Sequence, residues 1–83
     1  KNYLNNLLRN LEITLGKMFF SHQLRFRGNE LKDLKTALDK QAEVLYTEMD
    51  FLVKSGFKLN LSIISQQLSS IIKKANKIMK TTQ

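Results

Sequence analysis

The chain has 83 residues, no cysteine and no proline, and its 14 basic and 7 acidic side chains give a formal charge of +7. The lack of cysteine excludes disulfides and thiolate metal sites, so a packed core has to stabilise this single domain, residues 1–83. No apolar run reaches the roughly 18 residues that span a bilayer and no signal-peptide pattern occurs, so we expect a cytoplasmic protein.

The first predicted element is a helix over residues 2–22. Its apolar positions recur at steps of four and three: Leu4, Leu8, Leu11, Leu15 and Met18, with His22 next in the series. This spacing places one apolar stripe along one side of a helix. Gly16 interrupts the helix at a cost of about 1 kcal/mol relative to alanine, so we expect a close helix crossing to offset it.

The second predicted element is a helix over residues 30–55, after a connector at about residues 23–29. Asn29 is a suitable N-cap, and Glu30 lies where a carboxylate favours the helix dipole. Leucine recurs every seven residues, at Leu31, Leu38, Leu45 and Leu52, and Leu34, Ala42 and Met49 lie beside this stripe. Gly56 predicts a left-handed cap that ends the helix.

The third predicted element is a helix that begins near Asn60 or Ser62, either of which can cap it, and ends near Met79. Its apolar side has steps of three and four: Leu61, Ile64, Leu68, Ile71, Ala75 and Ile78. The other side is a polar stripe: Ser62, Gln66, Ser69, Ser70, Lys73, Lys77 and Lys80. A strand over residues 62–72 is the alternative, but the strict alternation of a strand is missing.

Three amphipathic helices joined by short connectors predict an all-α, antiparallel up-down bundle, because short loops make consecutive helices antiparallel neighbours. The chain either folds as this three-helix bundle or supplies three helices of a four-helix bundle. A domain of this size buries only about 60 to 65% of the surface that its unfolded chain exposes. We therefore expect an oligomer or a stable partner.

Few side chains suit catalysis. His22 is the one histidine of the chain and has no second ligand at metal-binding spacing, which favours a structural or solvent-facing role. The carboxylates show no pattern that places two of them over one substrate atom, and we expect them to face solvent. These acids are Glu12, Asp39, Glu43, Glu48 and Asp50. We predict a non-catalytic protein without a metal or another cofactor.

Positive charge is concentrated at the C-terminal end of the chain. Residues 57–83 contain five lysines and no acid, whereas residues 30–56 contain six acids and four lysines. The lysines of the last helix are Lys73, Lys74, Lys77 and Lys80. Beside hydroxyl and amide side chains, they suit the phosphates of nucleic acids. Arg25 and Arg27 form a second basic site in the first connector, where a guanidinium group can make a bidentate contact with a phosphate.

Other roles for the lysines stay open. Solubility is one, and a favourable interaction with the C-terminal end of the helix dipole is another. A membrane-surface role uses similar chemistry, but the last helix lacks the Trp or Phe that anchors such helices. We expect Phe19, Phe20, Phe51 and Phe57 in the core, so no aromatic row is available for base stacking and binding should be weakly sequence-selective.

Residues 30–80 carry a family resemblance. The stretch reads ELKDLKTALDKQAEVLYTEMDFLVKSGFKLNLSIISQQLSSIIKKANKIMK. It resembles the four-helix-bundle proteins that include the accessory variability determinant of diversity-generating retroelements and the ribosomal-RNA intervening-sequence proteins. Residues 50–61 are similar to the turn of that family, residues 68–79 to its last helix and residues 4–20 to the preceding helix. The sequence lacks the family's opening helix and basic Phe-Pro segment, and it has no Gly-Trp after the last helix.

The resemblance implies a basic, ring-forming homo-oligomer, typically a pentamer, that binds nucleic acid and a reverse transcriptase. We expect an accessory protein that binds RNA or DNA phosphates through Arg25, Arg27 and the four lysines of the last helix, beside a nucleic-acid enzyme such as a reverse transcriptase. The alternative is a protein-interaction or assembly bundle, such as a relaxosome or phage accessory protein. In that alternative the lysines bind an acidic protein.

Overall fold

The computed structural model describes residues 2–24, 29–56 and 60–81, which form a three-helix bundle. The helices are α1 (Asn2–Leu24), α2 (Glu30–Lys54) and α3 (Ser62–Thr81). The described residues include no strand, so the predicted all-α class is confirmed and the alternative strand in the last segment is wrong. Each predicted helix boundary lies within two residues of the observed one.

Local hydrogen bonds and one glycine explain where α2 begins and ends and where α3 begins. The carbonyl of Asn29 accepts a hydrogen bond from the N–H of Asp33 at 2.7 Å, whereas the Asn29 side chain makes no capping bond. Gly56 ends α2 as predicted, with φ at +84°, in the left-handed region that favours glycine. At the start of α3, Oδ1 of Asn60 accepts hydrogen bonds from the N–H and the hydroxyl of Ser62, at 3.2 and 2.6 Å.

The helices run up, down and up, as predicted. Phe20, near the end of α1, and Glu30, at the start of α2, line one groove, so these two helices are antiparallel. The hydroxyl of Thr81 lies 3.3 Å from Nε2 of His22, so α1 and α3 are parallel and their C-terminal ends meet. Helix α1 packs against both of the other helices, whereas α2 and α3 touch only slightly. The bundle measures 46 × 18 × 17 Å.

The core lies along the apolar stripes that the spacing predicts. Its buried apolar members are Leu4, Leu8, Leu11, Leu15, Met18, Leu31, Leu38, Ala42, Leu45, Leu68, Ile71, Ala75 and Ile78. Five further residues of these stripes, Leu34, Met49, Leu52, Leu61 and Ile64, are only partly buried. Four of those five lie in the last turns of α2 or at the start of α3, where the slight contact between α2 and α3 leaves the core partly open.

The predicted placement of the phenylalanines is wrong. Phe19, Phe20 and Phe51 have exposed fractions of 44%, 62% and 60%. These residues lie outside the three-and-four spacing of the core stripes, and a helix fixes the direction of a side chain by its position along the turn. The remaining phenylalanine of that prediction, Phe57, lies outside the described residues.

Two smaller predictions also fail. Gly16 is exposed, and a Cβ atom at this position would meet nothing within 4 Å, so no close helix crossing requires a glycine here.

Glu43 and Asp50 face solvent as predicted, but Glu48 is half-buried. Glu48 follows Gln41 by seven residues, and Gln41 bonds to α1, so Glu48 lies on the side of α2 next to α1.

Candidate nucleic-acid interface

The four lysines of α3 point away from the core. Lys73, Lys74, Lys77 and Lys80 are all exposed, and α3 contains no acidic residue. The ion pairs found in the described part of the chain join Lys35 to Asp39 at 2.7 Å and Lys54 to Asp50 at 3.1 Å. Both pairs lie within α2. The ammonium groups of α3 therefore have no carboxylate partner among the described residues.

Three of these lysines form one row with the polar residues that precede them. At 100° per residue, Lys73, Lys77 and Lys80 fall within about 60° of arc. One depression on α3 is lined by Lys73, Asn76, Lys77, Met79 and Lys80. The next one is lined by Gln66, Ser69, Ser70, Lys73 and Lys74, so the two depressions share Lys73. We call the surface formed by Gln66, Ser69, Ser70, Lys73, Lys77 and Lys80 the lysine face.

The size of the lysine face suits a short stretch of a nucleic-acid backbone. From Gln66 to Lys80 the helix rises by about 21 Å, at 1.5 Å per residue. A duplex rises about 3.4 Å per base pair, so this length corresponds to roughly six steps of one strand. The face combines charge with hydroxyl and amide groups, which are the side chains that contact phosphate oxygens.

Lys74 lies about 100° around the helix from Lys73, toward α1. With Lys77 it lines a cleft of about 280 Å³ between the C-terminal ends of α1 and α3. The other lining residues are Phe19, His22, Ile78 and Thr81. We call this site the α1/α3 cleft. Since Lys77 lines both the cleft and a depression of the lysine face, the two features are continuous.

The structure brings four of the six predicted site residues together. Arg25 and Arg27, the second predicted basic point, lie outside the described residues. Phe19 and His22 lie beside Lys74 and Lys77, a proximity that the sequence patterns do not predict. The spacing does indicate that Phe19 is exposed, because Phe19 follows Met18 and so falls outside the apolar stripe of α1. The packing of α3 on that side of α1 is a property of the tertiary structure, and helical spacing within α1 does not reveal it.

A second surface lies between α1 and α2. Ile13 and Phe20, with exposed fractions of 51% and 62%, line a groove with Gly16, Lys17, Glu30 and Leu34. We call this surface, with Ile13 and Phe20 as its large exposed apolar residues, the α1/α2 groove.

The fold and these surfaces define a small all-α bundle with one lysine-rich helix. The described residues contain no group of three His, Cys, Asp or Glu side chains that could hold a metal ion. Within the same residues, every helix is too short or too polar to cross a lipid bilayer. No protein-family profile, curated protein sequence or solved structure matches this chain.

Proposed function

We propose that this protein is a non-catalytic accessory protein that binds RNA or DNA phosphates through the lysine face, beside a nucleic-acid enzyme such as a reverse transcriptase. The observation that carries the proposal is the row of Lys73, Lys77 and Lys80, which is exposed and free of carboxylate partners among the described residues. Each ammonium that neutralises a phosphate releases condensed counterions, which is the main source of non-specific affinity for nucleic acids.

The distribution of charge favours binding over solubility alone. Helix α2 has six acids and four lysines, whereas α3 has four lysines and no acid. A soluble surface needs charge, but it does not need a helix whose charges are all positive. Such a helix creates a local positive potential that attracts a polyanion and steers its approach. A partner rich in phosphate fits this surface better than a partner of mixed charge.

The family resemblance of residues 30–80 supports the same proposal, since it implies nucleic-acid binding next to a reverse transcriptase. The lysine face contacts phosphates, and phosphate contacts set position without reading sequence. We therefore propose weak sequence selectivity. Arg25 and Arg27 belong to the proposed interface as charges that lie in the connector after α1.

A fluorescence anisotropy titration tests the proposal, with one labelled single strand and one duplex of unrelated sequence at about 50 to 200 mM salt. If each of the four α3 lysines contacts one phosphate, the slope of log K against log salt is about −3 for the single strand and about −3.5 for the duplex. Absent binding at the lowest salt, or binding that salt does not weaken, would overturn the proposal.

The α1/α2 groove favours a second function, which is assembly with copies of the chain or with a protein partner. Large exposed apolar side chains that follow one groove are typical of interaction surfaces. Sedimentation velocity of the wild type, Ile13→Lys and Val53→Lys tests assembly with copies of the chain. Val53 is a control of similar exposure, because it is 60% exposed and does not line the groove, whereas Ile13 is 51% exposed and does. We expect Ile13→Lys alone to reduce the oligomer; a monomeric wild type contradicts assembly with copies of the chain.

A further inference from the structure

We infer that the α1/α3 cleft binds one unpaired base together with its phosphate, so that the protein prefers single-stranded to duplex nucleic acid. This inference rests on the proposed function and adds the class of nucleic acid to it. The cleft brings one phenylalanine ring and two ammonium groups together. Phe19 from α1 and Lys74 and Lys77 from α3 line the same space.

Phe19 presents part of its ring to that space. Its exposed fraction is 44%, although it comes directly after Met18, which is fully buried. An exposed aromatic ring beside a basic surface is the pairing that single-strand binding proteins use, because bases stack on the ring while ammonium groups track the phosphates. The two lysines are one helical turn apart, which keeps both charges within reach of one nucleotide.

Neighbouring residues complete the lining of the cleft and limit its size. His22 and Thr81, which both line it, approach within 3.3 Å, and the Thr81 hydroxyl donates a hydrogen bond to the carbonyl of Ile78 at 3.0 Å. These contacts tie the ends of α1 and α3 together. The volume of about 280 Å³ lies just below the range of about 300 to 1,000 Å³ that is usual for small-molecule sites. A single planar group fits such a space better than a larger ligand.

A duplex cannot use this cleft without losing base pairs. The faces of paired bases are covered by their neighbours in the stack, whereas an unpaired base can offer its face to Phe19. Phosphates are present in both forms, so the lysine face binds both. Selection for single strands therefore depends on Phe19, and affinity for either form depends on the lysines.

Phe20 provides an internal control. It is the next residue of α1 and is more exposed than Phe19, at 62%. It lines the α1/α2 groove with Lys17 and Glu30, and no α3 lysine lines that groove. A general effect of removing an exposed aromatic ring would appear at both positions. An effect of stacking in the cleft would appear at Phe19 alone.

The experiment measures affinities of the full chain for three probes: a single strand of oligothymidine, an abasic single strand with the same number of phosphates, and a duplex. Three variants are compared with the wild type. Phe19→Leu keeps apolar packing but removes the ring, and Phe20→Leu is its control. The third is a double variant that carries Lys74→Gln and Lys77→Gln. We expect Phe19→Leu to weaken oligothymidine binding about 5- to 150-fold, the range measured for one stacked base. Its affinities for the abasic strand and the duplex should stay unchanged, as should all affinities of Phe20→Leu.

The outcomes separate the inference from the proposed function. Suppose that the double variant Lys74→Gln, Lys77→Gln has a lower affinity for all three probes, and that Phe19→Leu keeps the wild-type affinity for each. The lysine face then binds nucleic acid, and the inference about the cleft is wrong. An equal loss for all probes on Phe19→Leu also overturns the inference, because it shows a structural role for the ring. If the wild type binds no probe, the proposed function fails as well.

A second measurement reads stacking directly. The chain has two tyrosines but no tryptophan, so Phe19→Trp introduces a single tryptophan into the cleft, whose fluorescence can be excited apart from that of the tyrosines. We expect oligothymidine to quench this fluorescence and the abasic strand to leave it unchanged. Phe20→Trp is the matched control and should respond to neither strand. Equal quenching at both positions would overturn the inference.

Discussion

The hydroxyl of Thr81 and Nε2 of His22 lie 3.3 Å apart, which joins the last turn of α3 to the last turn of α1. Because the Thr81 hydroxyl donates to the carbonyl of Ile78, its oxygen is positioned to accept a hydrogen bond from the ring N–H of His22. The contact lies where the C-terminal ends of these two parallel helices meet. Phe19, Lys74 and Lys77 line the cleft at the same ends.

The two described glycines should respond in opposite directions to alanine. Gly56 has φ at +84°, so Gly56→Ala should lower the free energy of unfolding by about 1 to 2 kcal/mol. Gly16 lies within α1 with open space around it, so Gly16→Ala should raise that free energy by about 0.5 to 1 kcal/mol. Urea denaturation followed by circular dichroism measures both. A loss of stability at Gly16 would indicate a close contact that the structure does not show.

The buried hydroxyl of Thr14 should contribute to stability through its bond across the α1 and α2 interface. Thr14 is 6% exposed, and the single proton of its hydroxyl has two acceptors within reach: Oε1 of Gln41 in α2 at 2.8 Å and the carbonyl of Asn10 in its own helix at 3.0 Å. Thr14→Val keeps the shape and removes the donor, so we expect a loss of about 1 to 2 kcal/mol in the free energy of unfolding. Thr36→Val is the control, since Thr36 is exposed and bonds only within its own helix. Equal effects at both sites would contradict this role.

Ser21 should tolerate loss of its hydroxyl. It is 2% exposed, and its Oγ has no hydrogen-bond partner among the described residues. Because an unpaired buried hydroxyl is costly and alanine is the better helix former, Ser21→Ala should raise the free energy of unfolding by about 0.5 to 2 kcal/mol. The exposed Ser70→Ala gives the contribution of helix propensity alone. A destabilised Ser21→Ala would show that the hydroxyl is hydrogen-bonded.

The helices and the direction of their side chains were predictable from sequence. The recurrence of leucine from Leu31 to Leu52 and the position of Gly56 predict α2 and its end, because both depend on neighbours along the chain. The lysine row was predictable for the same reason. Lys73, Lys77 and Lys80 share a side of any regular helix, whatever that helix packs against.

The α1/α3 cleft was not predictable, because it depends on which side of α1 receives α3. Phe19 and Phe20 are adjacent in sequence and equally apolar, yet one lies beside the lysines and the other beside α2. Spacing within α1 shows that neither belongs to the core stripe. It does not show which neighbour each ring meets, since that is set by packing between helices.

The central claim is that the lysine face, rather than the total charge, binds nucleic acid. The most direct test compares two triple variants, Lys73, Lys77 and Lys80 to glutamine against Lys17, Lys32 and Lys40 to glutamine. Both sets are exposed and both change the formal charge from +7 to +4. With the duplex as the probe, we expect the first variant to reduce the steepness of log K against log salt by about 2.5 to 3 and the second by less than about one. Equal reductions in the two variants would contradict the claim.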